Sequence, residues 1–135
     1  MAGLRTAEQL RSAGWEGEIL LIGEEEHAPY NRPPLSKEVL SLAEVPEDVL
    51  EPVRLRQRSS ASTFEFRLGE PVVASDLVSR TITLATGEVI PYTGLVIATG
   101  LRPRRLSAPG PTSGRYVVRT IDDALRLRER LTPGT

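Results

Sequence analysis

No cysteine occurs among the 135 residues. That absence excludes disulfides, thiolate ligation of iron-sulfur or zinc centres, and any dithiol redox relay. Also lacking is an apolar run near the roughly twenty residues that a membrane helix needs, and the N-terminal residues have no apolar signal-peptide core. A soluble, cytoplasmic protein without a membrane partner is the expectation. No charge of one sign predominates: 17 Lys and Arg stand against 18 Asp and Glu, a net charge of -1, so nothing attracts the chain as a whole to nucleic acid or an anionic membrane. His27 is the single histidine and Trp15 the single tryptophan. A loop histidine without an acid or nucleophile partner, and a lone tryptophan in a turn, support no catalytic assignment.

What is present reads as alternating helix and strand material in one compact core, since the length is short for two ordinary domains. From Met1 to Ala13, Leu4, Ala7 and Leu10 fall on one stripe and Arg5, Glu8, Gln9 and Arg11 on the other, which predicts an amphipathic helix ended by a left-handed Gly14. Glu18 to Ile22 predicts a strand buried on both faces, as in a parallel sheet. The proline-rich loop His27 to Pro34 cannot be regular structure, and Ser36 is placed to cap a short helix through Leu42. A polar stretch from Pro46 to Ser62 has no clear pattern. Short β-branched runs follow at Phe64–Leu68, Val72–Ser75, Thr81–Leu84 and Val89–Tyr92, with a hairpin turn at Thr86-Gly87, and predict a small antiparallel ribbon. Gly94 to Gly100 reads as a buried strand ending in a small-residue turn. After a proline- and glycine-rich linker come a short strand at Tyr116–Val118 and a helix from Ile121 to Leu131. There Asp122 and Asp123 favour the helix N-terminus, Ala124, Leu127 and Leu131 form the apolar stripe, and the arginines occupy the wet face.

Three strings carry chemistry. The opening helix followed by a strand ending in Gly23-Glu24 matches the second half of a dinucleotide-binding βαβ unit, with Glu24 where an acidic residue holds ribose hydroxyls and Ala2-Gly3 at the end of the glycine turn. Taken alone, Glu24 to Glu26 read more simply as a solvated acidic turn. Ala28-Pro29-Tyr30-Asn31-Arg32-Pro33-Pro34-Leu35-Ser36-Lys37 is the most specific string, its prolines holding two cations on a rigid path. Leu95-Val96-Ile97-Ala98-Thr99-Gly100 followed by Arg102-Pro103 needs small residues where backbone approaches a ligand closely, though a buried strand ending in an ordinary turn would look the same.

Together these strings resemble the FAD-binding portion of the pyridine nucleotide-disulfide oxidoreductase superfamily, of the ferredoxin, rubredoxin and putidaredoxin reductase type. The resemblance implies an α/β fold: a partial Rossmann-like FAD-binding domain, a parallel sheet with helices, over residues 1–120, carrying the antiparallel ribbon. Residues 121–135 then form a connecting helix toward an NAD(P)-binding domain. It further implies FAD as cofactor, with Ala2, Gly3, Glu24, Arg32, Pro33, Lys37, Val72, Ala98, Thr99, Gly100 and Arg119 as its binding residues and no metal. Arg32 would face the pyrophosphate, Lys37 the flavin edge, Val72 the adenine, and Arg119 would reach back to the FAD. Tyr30 and Leu35 are expected to pack.

In such enzymes NAD(P)H is the co-substrate and the acceptor is a ferredoxin- or rubredoxin-like iron-sulfur protein; the lack of cysteine agrees with electron transfer that uses no thiol pair. The resemblance implies a copy truncated at both ends, inactive alone, not binding NAD(P)H, and open to self-association through its sheet edge. Two other readings stand beside it. One is a non-catalytic FAD- or adenine-nucleotide-binding module. The other is an interaction module that docks an acidic partner through the eight arginines, against three acids, that follow Gly100.

Overall fold

The computed structural model describes residues 1–56, 64–105, 107–111 and 113–131. The protein is α/β, with two helices and five strands among these residues, and it divides into two compact units. One unit comprises residues 1–29 and 56–99, the other residues 30–55 and 100–135. Residues 57–62 of the polar stretch and 132–135 of the connecting segment lie outside the described residues.

The first unit opens with helix α1, Ala2–Ser12. Leu4 and Ala7 are buried as their spacing requires, but Leu10 is exposed and Glu8, expected on the wet side, is buried. The buried carboxylate is tolerated because Arg5 pairs with it at 2.6 Å. Gly14, with φ at +87°, ends the helix. Its N–H donates to the Arg11 carbonyl at 3.0 Å and that of Trp15 to the Leu10 carbonyl at 2.9 Å, the Schellman pair that a left-handed residue permits.

Strand β1 is Leu20–Gly23 and pairs in parallel with β2, Glu65–Leu68, Leu21 lying opposite Phe66. Two expectations are corrected here. The β1 run is only half-buried, with Leu20 exposed, because among the described residues it has a strand on one side only. The Phe64–Leu68 run belongs to this parallel pair and not to the ribbon.

The ribbon itself is β3, Val72–Asp76, β4, Thr81–Leu84, and β5, Val89–Pro91, all antiparallel. Asp76 builds the first reversal: its carboxylate accepts the N–H groups of Val78 and Ser79 and the Ser79 hydroxyl at 2.8–3.0 Å. These donors, the Ser79 N–H first, hold it below the usual carboxylate range. Gly87, φ +89°, makes the second turn at the predicted place. Ile82 and Leu84 are buried. Arg67 of β2 reaches the Glu88 carboxylate through both terminal nitrogens, at 2.8 and 2.7 Å, and Glu70 at 2.5 Å. Glu88 is held below its ordinary range by that guanidinium.

Gly94 to Gly100 is a further correction. It forms no strand, and Val96 and Ile97 are exposed, since no neighbour among the described residues pairs with them. An apolar run becomes a buried strand only when its backbone groups find partners.

In the second unit regular structure is sparse and the core is tight. Tyr30, Leu35, Val39, Val53, Ile121 and Ala124 are buried against one another, with Leu40, Leu42, Val49, Leu50, Val118 and Leu125 packed around them. Ser36 does not cap a helix; it ends a 3-10 turn, Pro33–Ser36, followed by successive turns that bury Val39. Two prolines at the start of this segment suit a tight turn and remove N–H donors from a longer ladder. A second 3-10 turn, Glu51–Val53, buries Val53, and Asn31 donates its N–H to the Val53 carbonyl at 2.8 Å. Asp48 pairs with Arg54 nearby.

Residues 116–118 form no strand, and helix α2 ends at Arg128. Its buried positions are Ile121 and Ala124, while Leu131 is exposed. Arg128 leaves the wet face predicted for it, donating to the carbonyls of Leu42 and Ala43 at 2.8 Å. Among the described residues no helix is long and apolar enough to cross a membrane.

Candidate functional site

In the first unit the expected residues gather in two places. Gly3 lies in the first turn of α1, where backbone N–H groups lack helical partners, no acidic side chain intervenes, and Met1 offers no side-chain cap. A Cβ at Gly3 would sit 3.5 Å from the Ala98 Cβ, so the start of α1, which also carries Ala2, meets the turn carrying Ala98 and Thr99. Small residues on both sides leave backbone accessible there. The second place is the end of β1. The Gly23 carbonyl accepts the Glu70 N–H and the Glu25 carbonyl the Gly69 N–H, both at 2.9 Å, so the exposed Glu24 is tied to the segment that leads into Val72. Gly69, φ +72°, makes the turn that brings the two together. Val72 opens β3 at an irregularity in its pairing and is exposed.

In the second unit Arg32, Gly100 and Arg119 come together. Arg32 precedes the 3-10 turn that Pro33 begins, and its Nη1 donates to the Arg119 carbonyl at 2.6 Å and to the Tyr30 hydroxyl at 3.2 Å. Its Cζ lies 4.9 Å from the Tyr30 ring centre, a cation-π contact. Gly100 has φ +73°, and a Cβ there would stand 3.0 Å from the Arg119 Nη2. Lys37 closes the 3-10 turn and is exposed. None of the bonds found among the described residues joins it to Arg32 or Arg119.

Asp123 completes the cluster. Its Oδ2 accepts the N–H groups of Thr120 at 3.0 Å and Arg119 at 3.1 Å, and the Thr120 hydroxyl accepts the Asp123 N–H at 3.1 Å, a capping box at the start of α2. Partial burial pushes this carboxyl up. The bonds from Thr120 and Arg119 and the Arg126 guanidinium outweigh it and leave the group below its ordinary range. Sequence reasoning assigned Asp123 to the helix dipole and Tyr30 to packing, and so missed the bond from the Arg119 N–H to Asp123 and those from Ile121 and Arg32 to the Tyr30 hydroxyl. The Thr120-x-x-Asp123 spacing was the available signal for the first; nothing in the sequence announces that residues 30 and 121 meet.

Among the described residues no metal-binding cluster of His, Cys, Asp or Glu occurs. Each unit by itself carries features that suit part of a dinucleotide: the first, small residues at a close approach, a helix start without an acid and an exposed carboxylate after β1; the second, the cations Arg32 and Arg119 beside the Gly100 turn.

The sequence matches the pyridine nucleotide-disulphide oxidoreductase family over residues 1–135, and the chain belongs to that family, which is flavin-dependent with NAD(P)H as co-substrate. It is 41% identical to the benzene 1,2-dioxygenase system ferredoxin–NAD(+) reductase subunit of Pseudomonas putida, covering 100% of this chain and 32% of that protein. The crystal structure of the ferredoxin reductase for the CYP199A2 system from Rhodopseudomonas palustris superposes with a TM-score of 0.79 at 36% identity, covering 96% of this chain and 31% of that one. A covalent putidaredoxin reductase–putidaredoxin complex gives 0.74 at 31% identity, covering 96% and 31%. The chain thus spans about a third of the length of the relatives it matches.

Proposed function

We propose that this chain is FAD-binding sequence of an NAD(P)H-dependent flavoprotein reductase that passes electrons to a ferredoxin- or rubredoxin-like iron-sulfur protein. The observation that carries the reading is Arg119. The residue is half-buried, and its guanidinium has no acidic partner among the described residues and stands against the left-handed Gly100 turn. A cation so placed without a counter-charge calls for an anionic ligand. Bound FAD would supply the hydride-accepting and single-electron-donating chemistry that amino acids lack.

The residues of this chain do the rest. Arg119 and Arg32 balance phosphate charge. Glu24 accepts ribose hydroxyl protons in hydrogen bonds, and Val72 offers backbone beside the adenine. Ala2, Gly3, Ala98, Thr99 and Gly100 keep side chains out of the way, Pro33 fixes the path of the loop, and Lys37 brings positive charge to the flavin edge.

The test is a titration of the 135-residue chain with FAD, FMN and ADP. FAD and ADP should compete, and FMN, which lacks the adenosine half, should bind at least about tenfold more weakly, because a lost bidentate or charge-assisted contact costs that much. Equal affinity for FMN and FAD, or no binding of either FAD or ADP, would overturn the reading. By the same reading the chain alone is not reduced by NADH; reduction of its bound flavin by NADH, with onward transfer to a ferredoxin, would show that this third of the relatives' length is a reductase by itself.

A further inference from the structure

The first N–H of α2 is bonded by a residue 91 positions away: Ile121 donates to the Tyr30 hydroxyl at 2.8 Å. The same buried hydroxyl accepts from Arg32, which passes on to the Arg119 carbonyl at 2.6 Å. On the other side of the same residue, the Arg119 N–H donates to Asp123. The backbone of Arg119 is therefore held at its carbonyl and at its amide. Its side chain is the opposite case, with no hydrogen-bond or ion-pair partner among the described residues and its Nη2 close over Gly100. A fixed backbone under an uncommitted guanidinium reduces the number of places the cation can occupy before a ligand arrives.

We propose that Tyr30 and Asp123 are positioning residues, which clamp the backbone of Arg119 so that its guanidinium is presented at the Gly100 turn to a phosphate-bearing ligand. This rests on the reading of Arg119 as a ligand to FAD. Phenylalanine at position 30 would keep the ring and its stacking on Arg32 but remove the oxygen, leaving the Ile121 N–H without its acceptor and Arg32 with one bond fewer. The loss would be felt at Arg119, two residues before Ile121.

The test is a double-mutant cycle on the full chain with FAD as titrant. Y30F should weaken FAD binding about fivefold, as expected for one net hydrogen bond, and R119A about tenfold, as for a charge-assisted contact. The Y30F/R119A double variant should bind no more weakly than R119A alone, since a residue that acts through Arg119 has nothing left to act on. D123N, which keeps the shape of the cap, should lose about twofold to threefold with the same non-additivity, and it serves should Y30F fold poorly. In the unliganded chain, inorganic pyrophosphate should shift the NMR signal of the Arg119 Nε–H in the wild type, and at the same concentration shift it less in Y30F. If R119A binds FAD like wild type, the ligand reading falls and this proposal with it. If R119A binds weakly while Y30F and D123N bind normally, or multiply with R119A, the positioning role alone is overturned.

Discussion

The two units reach stability by opposite routes. Residues 1–29 and 56–99 contain all five strands and the longer helix, yet Leu4, Ala7, Ile82 and Leu84 are their only buried apolar residues among those described. Residues 30–55 and 100–135 have two 3-10 turns and one eight-residue helix, yet hold six mutually packed buried residues. In the first, backbone pairing supplies the order; in the second, side chains do, through packing and through side-chain bonds to backbone such as Tyr30 to Ile121, Arg32 to Arg119 and Arg128 to Leu42. Regular secondary structure and a well-formed core are thus separable properties, and the cation cluster belongs to the unit with the core.

The widest separation between the units should come from truncating one apolar residue in each. Leu35, 2% exposed, is enclosed in the second unit, so L35A should cost about 2–4 kcal/mol from lost burial and the cavity left behind. Leu77, 70% exposed at the β3–β4 turn, should tolerate alanine within about 0.5 kcal/mol. Urea unfolding read by hydrogen exchange at amides of each unit checks both. If L77A proves as damaging as L35A, the ribbon has a covered face and the contrast fails.

Next in size is a pair of glycines. Gly87 and Gly100 both have positive φ, and alanine at either should cost about 1–2 kcal/mol of backbone strain. Around Gly87 an added methyl meets nothing within 4 Å, whereas at Gly100 it meets the Arg119 Nη2 at 3.0 Å. That atom is the end of a flexible side chain and can move, so melting temperatures should fall alike in both variants. FAD affinity should fall in G100A only. Equal loss of affinity would place the Gly100 turn away from the ligand.

These two cases also mark what was legible in the sequence. The turn at Gly87 and the α1 end at Gly14 were read correctly because left-handed glycine is a local requirement that local sequence reports. The ribbon strands β3 to β5 were read for the same reason, their alternation and turns lying within twenty residues. Phe64–Leu68 was assigned to the wrong sheet because its partner, β1, lies more than forty residues upstream, and nothing in a four-residue run names its partner. The run 94–100 was over-read: Leu, Val and Ile suit a buried strand, but suitability does not supply the neighbour that makes one. At the candidate site, the residue types of the proline loop and the Ala98–Gly100 turn were visible, and they carried the resemblance to the family the chain belongs to. The support under them, Tyr30 to Ile121 and Asp123 to Arg119, was not, because it joins distant segments through side-chain to backbone bonds that no periodicity encodes.

A smaller effect separates the units by pH. Asp123 in one and Asp76 and Glu88 in the other are all held below their ordinary carboxyl range when folded. A depressed folded value means that the unfolded chain takes up protons first, so the stabilisation is complete above the unfolded value and is lost as pH falls through the folded one, below about pH 4. Both units should weaken in acid. In T120A the capping hydroxyl is gone, which should cost about 1 kcal/mol at neutral pH. Asp123 then keeps only the Thr120 and Arg119 N–H groups and Arg126 as partners, and the acid transition of the second unit should become shallower. An unchanged acid midpoint at the amides of Arg119 and Thr120 would mean that the Thr120 hydroxyl takes no part in holding the Asp123 carboxyl down.

The smallest effect is expected at the clamp of Arg67 on Glu88 and Glu70, although it is the densest ion-pair group among the described residues. Half of the Glu88 side chain is open to solvent, where water and salt screen the pair and the entropy of holding two long side chains offsets the attraction. E88Q keeps one hydrogen-bond acceptor for Arg67 and removes the charge, so the thermal midpoint should move by no more than the error of measurement. Geometry gives the pair a second, distinguishable consequence: Arg67 is on β2 and Glu88 immediately precedes β5, so the clamp links the parallel pair to the ribbon. Amide exchange at Val89 and Ile90 should therefore accelerate in E88Q at low salt, and 0.5 M NaCl should bring the wild type to the same rate. If exchange is instead equal at low salt, backbone pairing alone fixes the ribbon, and the first unit depends on side chains even less than the contrast with the second implies.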